Sequence, residues 1–380
     1  VAGPNAIAEI ITGQWSYIQA KANRHQIRHL NAIRICRTPS LGGQLYACTS
    51  CKSYHYRYNS CRNRHCSQCQ NTQKQQWIEA QKQKVLPVEY FHLVFTLPAQ
   101  LNTLCLAYPR QLYNILFRAS WHTLNRFGWD HKYLGAQLGA TSVLHTWGSN
   151  LSFHPHLHCI VPGGGVAWNS KWKAAKNKGK FLFPVQAMSA VFRGKFLAEL
   201  KEFCESAGLD DVQQLFKELY AKKWVVYAKS SVGNSEAIIK YLARYTHNIA
   251  ISHHRIQQFN NQEVVFTYKD YRHGGKQKSM RLTAQEFVRR FMLHILPHGF
   301  TRIRHYGILS SQWRSRLFRV NIQALPTWKD LWQTMGLNVA KCPYCKTGKL
   351  VWIKEIRPAR GPPSLKNPST NPLVGRSSIC

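Results

Sequence analysis

Three histidines stand at every second position in HPHLHCIV, residues 154–161. Alternation marks a β-strand, and a period of two sends His154, His156, His158 and Ile160 to one face. Imidazole is an uncommon choice for adjacent places on a sheet face, and a metal ion is one thing such side chains can hold. An isolated His-x-His is most often a pair of surface or core histidines. Here His154 shares the face, the preceding strand carries His145, and the whole chain is strongly basic. His156 and His158 are therefore candidate ligands of one divalent cation. His145 and His154 compete for the third place, and spacing alone does not choose between them.

A second constellation is made of thiols. Cys48-x2-Cys51 is followed by Cys61, His65 and Cys66-x2-Cys69. Two such knuckles about 15 residues apart each offer two thiolates to one tetrahedral zinc ion, and this spacing is a strong signal. Cys48, Cys51, Cys66 and Cys69 are the expected set. Cys36, Cys61 and His65 are left as a second site, as alternative ligands or as small buried side chains. Zinc would replace the core that so short a segment cannot build. Arg37, Lys52, Arg57, Arg62, Arg64 and Lys74 surround these cysteines and suit contact with phosphate. Cys342-x2-Cys345 is a single knuckle with no second pair near it, and no zinc site is expected there.

The third constellation is Tyr241-x3-Tyr245, one helical turn apart in SEAIIKYLARYTH, residues 235–247, with Ser235 as N-cap and Lys240 and Arg244 beside the tyrosines. Two tyrosines at this spacing are usually packing residues. Beside a metal site and a polyanion they become candidate nucleophiles. A phenol has a pKa of about 10, so attack needs cations that favour the phenolate and a metal that makes phosphorus more electrophilic.

The elements that must carry these groups alternate between strand and helix. Residues 5–35 read as helical and 72–85 as a polar helix. YFHLVFTLP at 90–98 alternates and ends at proline, so it reads as a strand. Helix follows over about 100–128, strand near 141–147, then the histidine strand and PGGG. Helices are expected over about 187–220, a strand at 224–229 and a hairpin at 263–283 with HGGK as its turn. The segment 300–318, FTRIRHYGILSSQWRSRLF, interleaves basic and aromatic residues. It suits base stacking with backbone neutralisation, or an amphipathic helix with a solvated basic face. The tail from 357 is rich in Pro and Ser and reads as disordered.

The chain has 380 residues, 44% of them hydrophobic, and a formal net charge of +36. That length supports two or three cores. So large a positive charge calls for a polyanionic partner, and nucleic acid is the first candidate. A membrane surface is disfavoured because no long apolar run or basic amphipathic anchor is present. Cysteines clustered in CxxC pairs, with no export signal, point to metal sites in a reducing cytoplasm.

Taken together, the His-x-His strand followed by a Tyr-x3-Tyr helix resembles the HUH endonucleases, which nick and rejoin single-stranded DNA. Among them the chain looks like the rolling-circle insertion-sequence transposases of the IS-ninety-one type. The matching segments are CRTPSLGGQLYACTSC (36–51), NSCRNRHCSQCQ (59–70), FHLVFTLP (91–98), LHTWGSNLSFHPHLHCIVPGGG (144–165), YLARYTHNIAIS (241–252), YKDYRHGGKQKSM (268–280) and FMLHILPHGFTRIRHYGILS (291–310). The resemblance covers the chain from about 5 to 345, in family order.

The resemblance implies an α+β protein, with an N-terminal helical zinc-binding domain and an HUH domain whose central antiparallel sheet is flanked by helices. The expected divisions are 1–85 for the zinc-binding, DNA-contacting domain and 86–262 for the catalytic domain. A basic, aromatic part follows at 263–340, then a knuckle and tail at 341–380. His156 and His158 match the family's metal ligands, and Tyr241 and Tyr245 its paired nucleophiles. Ser149 stands where a longer polar side chain is expected, so that position does not supply the third ligand.

The implied cofactors are structural zinc and catalytic magnesium or manganese. The implied partners are single-stranded DNA at the ends of the protein's own mobile element and target DNA, in a bacterial cytoplasm and away from membranes. Nothing here sets an oligomeric state. Arg62, Arg64, Lys229, Arg244, Arg302, Arg304 and Trp313 are the expected DNA contacts. Two other functions fit part of the pattern: a plasmid replication initiator or relaxase, and a zinc-dependent DNA-binding regulator without catalysis. The zinc domain ahead of the histidine strand, and the strand ahead of the tyrosines, argue against a relaxase.

Overall fold

The computed structural model describes residues 3–82, 85–176, 182–229, 248–313 and 341–359. Tyr241, Arg244 and Tyr245 lie outside the described residues, as does the tail from 360. The architecture is α+β.

The N-terminal helical stretch is three helices, α1 (Ala6–Gly13), α2 (Trp15–Lys21) and α3 (Arg24–Arg34). The last begins at a reciprocal cap. Asn23 Oδ1 accepts from the Gln26 amide at 2.9 Å, and Gln26 Oε1 accepts from the Asn23 amide at 3.0 Å. Strands β1 (Gly43–Cys48) and β2 (Tyr54–Tyr58) follow, then α4 (Ser67–Lys82).

The middle of the chain runs β3 (Tyr90–Thr96), α5 (Asn102–Ala107), α6 (Pro109–Trp129), β4 (Gly139–Trp147), β5 (Phe153–Pro162), β6 (Gly164–Val166) and β7 (Trp172–Ala174). Then come α7 (Val185–Ser206), α8 (Gln213–Ala221) and β8 (Val225–Lys229). The last part holds β9 (Ile256–Phe259), β10 (Glu263–Asp270), β11 (Lys276–Thr283), α9 (Ala284–Met292), β12 (Ile303–Gly307) and β13 (Leu350–Ile356).

The central sheet has five strands in the order β12-β4-β5-β3-β8, antiparallel throughout. Its back face is apolar. Leu93, Phe95, Leu144, Leu157, Cys159, Val161 and Val226 pack there with Leu116 and Leu124 of α6 and Phe192, Phe196 and Leu200 of α7. Phe95 meets Phe192 edge-on at 5.0 Å, a favoured aromatic geometry. Fully burying side chains of this size contributes about 1.5–3 kcal/mol each. The period of two then sends the intervening residues of the same strands to the front. A slip of one residue would turn the histidines into the apolar core and turn this core to the front, so the packing enforces the register.

A second core joins regions far apart in sequence. Ile7, Ile11, Ile18, Leu30 and Ile33 of α1–α3 pack with Ile256, Val264 and Phe266 of β9 and β10 and with Phe287 and Phe291 of α9. Cys36, Cys66 and Cys69 belong to the same cluster. Packing therefore crosses the divisions expected at 85 and 262. The β10–β11 hairpin forms as expected, paired from Glu263↔Thr283 to Asp270↔Lys276.

Of the segment 300–318, residues 300–313 are described, and the helical alternative does not hold over 303–307. Residues 303–307 are not helical but form the edge strand β12, paired with β4 from Ile303↔Val143 to Gly307↔Gly139. Tyr306 packs against the main core, and its ring stacks on Trp121 at 5.1 Å. Gly307 has φ +53, and a Cβ there would lie 1.8 Å from the Leu138 carbonyl oxygen, so only glycine fits.

Candidate metal centre and its cleft

The front face of the central sheet lines a cleft of about 880 Å³. β5 supplies His154, His156 and His158, β3 supplies His92, Val94 and Thr96, β4 supplies His145 and Trp147, and β8 supplies Tyr227 and Lys229. His145 lies directly across the ladder from His156. Ser67, Gln70 and Lys74, at helical spacing on α4, also line the cleft.

One ligand nitrogen from each of His145, His156 and His158 lies within 4.8 Å of the others. His154 is exposed and stays outside this trio. Its backbone does contribute, because His156 Nδ1 lies 2.7 Å from the His154 carbonyl oxygen. A carbonyl only accepts, so that nitrogen carries the proton and Nε2 keeps its lone pair. On the next imidazole, His158 Nδ1 lies 2.9 Å from His92 Nε2. The two Nε2 atoms of His156 and His158 then face each other at 3.1 Å. A cation with nitrogen ligands at about 2.1 Å and right-angled bonds sets them about 3 Å apart. The residues present therefore fit a divalent ion.

Electrostatics favour the neutral imidazoles that a cation needs. Burial holds His156 down to about 4 and His158 well below its usual value. His92 is also pushed down to about 4, by burial first and then by Lys229. Among the described lining residues there is no carboxylate.

The basic residues expected at DNA divide into two groups. Lys229 lines the cleft, and Arg62 is exposed. Arg64, Arg302 and Arg304 are each bonded to groups of the fold. Arg64 donates to the carbonyls of Phe300 at 2.6 Å and Pro297 at 3.2 Å. Arg302 is 8% exposed, donates to the Asn248 carbonyl at 3.0 Å, and is lowered to about 10 by burial. Arg304 donates to Asn114 Oδ1 at 2.5 Å and lies over the Phe117 ring at 4.1 Å. Trp313 packs on Val166, Ile308 and Leu309. Ser149 lines the same cleft, and its Oγ donates to the Lys269 carbonyl at 2.5 Å.

The expected thiol set is also corrected. Cys66 and Cys69 do not join Cys48 and Cys51; they cluster with Cys36 and Cys61. Cys36 Sγ lies 3.6 Å from Cys69 Sγ and 3.7 Å from Cys66 Sγ, and Cys61 Sγ is 3.6 Å from Cys69 Sγ. Zinc–sulfur bonds of about 2.3 Å in a tetrahedron place sulfurs about 3.8 Å apart, so these four fit one zinc ion. His65 is not among them. It is buried beside His29, with ring centroids 5.3 Å apart, and its Nε2 has no hydrogen-bond partner among the described residues. Cys66 immediately precedes α4 and Cys69 stands in its first turn, so the cluster orients the helix that brings Lys74 to the cleft.

Three residues were not anticipated in their roles. His92 sits in FHLVFTLP, where alternation places it on the front, but only the β3–β5 pairing puts it against His158. Cys342 and Cys345 come to the knuckle of Cys48 and Cys51.

Residues 10–97 match the family described as "Transposase zinc-binding domain", and residues 139–316 match the one described as "Putative transposase". "Putative transposase y4qJ" of Sinorhizobium fredii is 38% identical over 369 residues, covering 89% of this chain and 91% of that one. "Transposase for insertion sequence element IS801" of Pseudomonas savastanoi pv. phaseolicola is 29% identical, covering 76% and 71%. A solved structure of the conjugative relaxase TrwC with DNA is 17% identical with a TM-score of 0.24, covering 30% of this chain and 44% of that one. At that level nothing about ligands or reaction passes to this chain.

The chain is thus a DNA transposase and belongs to the IS91-type transposase family. No helix among the described residues is long and apolar enough to cross a membrane.

Proposed function

We propose that this transposase binds single-stranded DNA in the cleft and nicks and rejoins it through a 5′-phosphotyrosine link. The DNA is that of the ends of its own mobile element and of the target, in the bacterial cytoplasm. The observation that carries the reading is the convergence of His145, His156 and His158 on one point of that cleft. Magnesium or manganese held there would neutralise and polarise the scissile phosphate. Three neutral imidazoles leave the ion's full charge for phosphate oxygens.

Tyr241 or Tyr245 supplies the nucleophile. Lys229 and Asn248, the residues on either side of the segment 230–247, both line the cleft, which supports placing the tyrosines there. The phenol oxygen forms a bond to phosphorus as the P–O3′ bond breaks, and the phenol proton is passed on to the leaving 3′ oxygen. The link keeps the phosphodiester's energy, so a 3′-hydroxyl can reverse it. The second tyrosine serves the other cleavage. Lys74 and Lys229 attract the DNA backbone, with strong salt dependence. Zinc in the Cys36, Cys61, Cys66 and Cys69 cluster keeps α4 in place.

The test is a covalent-adduct assay with single-stranded oligonucleotides from the element's ends and manganese. An adduct on Tyr241 or Tyr245 is expected, lost with chelator. His156→Ala/His158→Ala should lower nicking by more than about 10³-fold, since a metal contributes several kcal/mol at the phosphate. DNA binding without any adduct, under every metal condition, would favour a non-catalytic DNA-binding protein.

A further inference from the structure

Cys48-x2-Cys51 and Cys342-x2-Cys345 meet at one end of a small sheet of order β13-β1-β2. We propose that these four thiols hold a second structural zinc ion, which clamps residues near the two ends of the described chain together. Cys48 Sγ lies 3.6 Å from Cys345 Sγ, and Cys51 Sγ lies 3.7 Å from Cys342 Sγ. These separations suit a tetrahedral zinc site and are far too long for a disulfide of about 2.05 Å.

The two knuckles repeat one another. In each, the residue after the second cysteine is left-handed: Lys52 has φ 57 and Lys346 has φ 59. In each, the first cysteine's amide closes the loop, from Cys48 to the Ser53 carbonyl at 3.0 Å and from Cys342 to the Gly348 carbonyl at 2.8 Å. Backbone amides point at sulfur: Ser50 and Cys51 toward Cys48 Sγ at 3.4 and 3.5 Å, and Gly348 toward Cys345 Sγ at 3.3 Å. Such bonds favour a thiolate. The loops are also tied to each other, by the Thr49 amide donating to the Lys349 carbonyl at 2.9 Å and the Lys349 amide donating to Thr49 Oγ1 at 3.0 Å. A Cβ on Gly348 would lie 2.3 Å from Cys48 Sγ, so glycine is what lets the second knuckle close on the first.

An independent observation is the poverty of the sheet itself. None of its residues belongs to an apolar cluster among the described residues. Tyr54, Tyr56, Val351, Trp352 and Ile353 are all at least 45% exposed. Three strands that join no apolar cluster among the described residues gain little from burial, and a bound metal supplies the missing stabilisation. The site shares no residue with the Cys36 cluster, so two thiolate-held zinc ions per chain follow.

Native mass spectrometry of the full zinc-loaded chain tests this. The unmodified protein should carry two zinc ions. Cys48→Ser/Cys51→Ser, Cys342→Ser/Cys345→Ser and the quadruple variant should each carry one. A single zinc in the unmodified chain overturns the proposal. So do two zinc ions in Cys342→Ser/Cys345→Ser, or none in the quadruple variant. Where the variants precipitate, thiol alkylation of the unmodified chain decides. Cys342 and Cys345 should react at least about tenfold faster after chelation, because thiolates bound to metal are withdrawn from reaction. Equal rates with and without chelator overturn it.

Discussion

The central sheet and the small β13-β1-β2 sheet are both antiparallel, and both carry a group of metal-ligating side chains, yet they are held in opposite ways. The central sheet buries one face completely against α6 and α7. Its front can then present His145, His156 and His158 at no risk to the fold. The small sheet joins no apolar cluster among the described residues, and four thiols meet at one of its ends. In the first case the fold places the ligands. In the second the ligands place the fold. The Cys36 cluster is intermediate, since it lies within the second apolar core and only completes it.

The sharpest way to break this comparison is zinc removal. A strong chelator should raise amide exchange in β1, β2 and β13 to the unprotected rate, while β3, β4 and β5 keep their protection. Equal loss in both sheets would mean that zinc supports the whole molecule.

Core truncation should show the reverse bias. Phe95 is fully buried in the main core, and Phe95→Ala should cost about 3–5 kcal/mol in chemical denaturation. Leu45 is buried in the small sheet but outside every apolar cluster among the described residues. Leu45→Ala should cost no more than about 2 kcal/mol, the low end for such a change.

The smallest effect expected is at His92, which positions His158 through their 2.9 Å contact. His92→Ala should weaken manganese affinity by about 10–100-fold in calorimetric titration. Zinc content and melting temperature should stay near the unmodified values. An unchanged manganese affinity would make the contact incidental.

Local pattern made much of this legible before any coordinates. The period of two in HPHLHCIV and FHLVFTLP already sorts the residues of β5 and β3 by face, because pleat geometry is local. The β10–β11 hairpin and its HGGK turn are equally local, with Gly274 and Gly275 at φ +69 and +73. CxxC spacing likewise announces a knuckle. What spacing does not carry is which knuckle joins which. Every knuckle offers the same two sulfurs, so the expected pairing of Cys48 and Cys51 with Cys66 and Cys69 was chemically sound.

Tertiary structure decided the matter. β1 pairs with β13, so Cys48 and Cys51 meet a knuckle nearly 300 residues away, while Cys36 and Cys61 complete the other set. The same holds for charge. A guanidinium satisfies a phosphate or a carbonyl equally well, and only packing shows that Arg64, Arg302 and Arg304 serve carbonyls, an amide and ring faces. The sequence determined the chemistry available, in imidazoles, thiols and cations on strands and knuckles of known period. The structure alone decided their partners, because partnership depends on which distant segments are brought within a few ångströms.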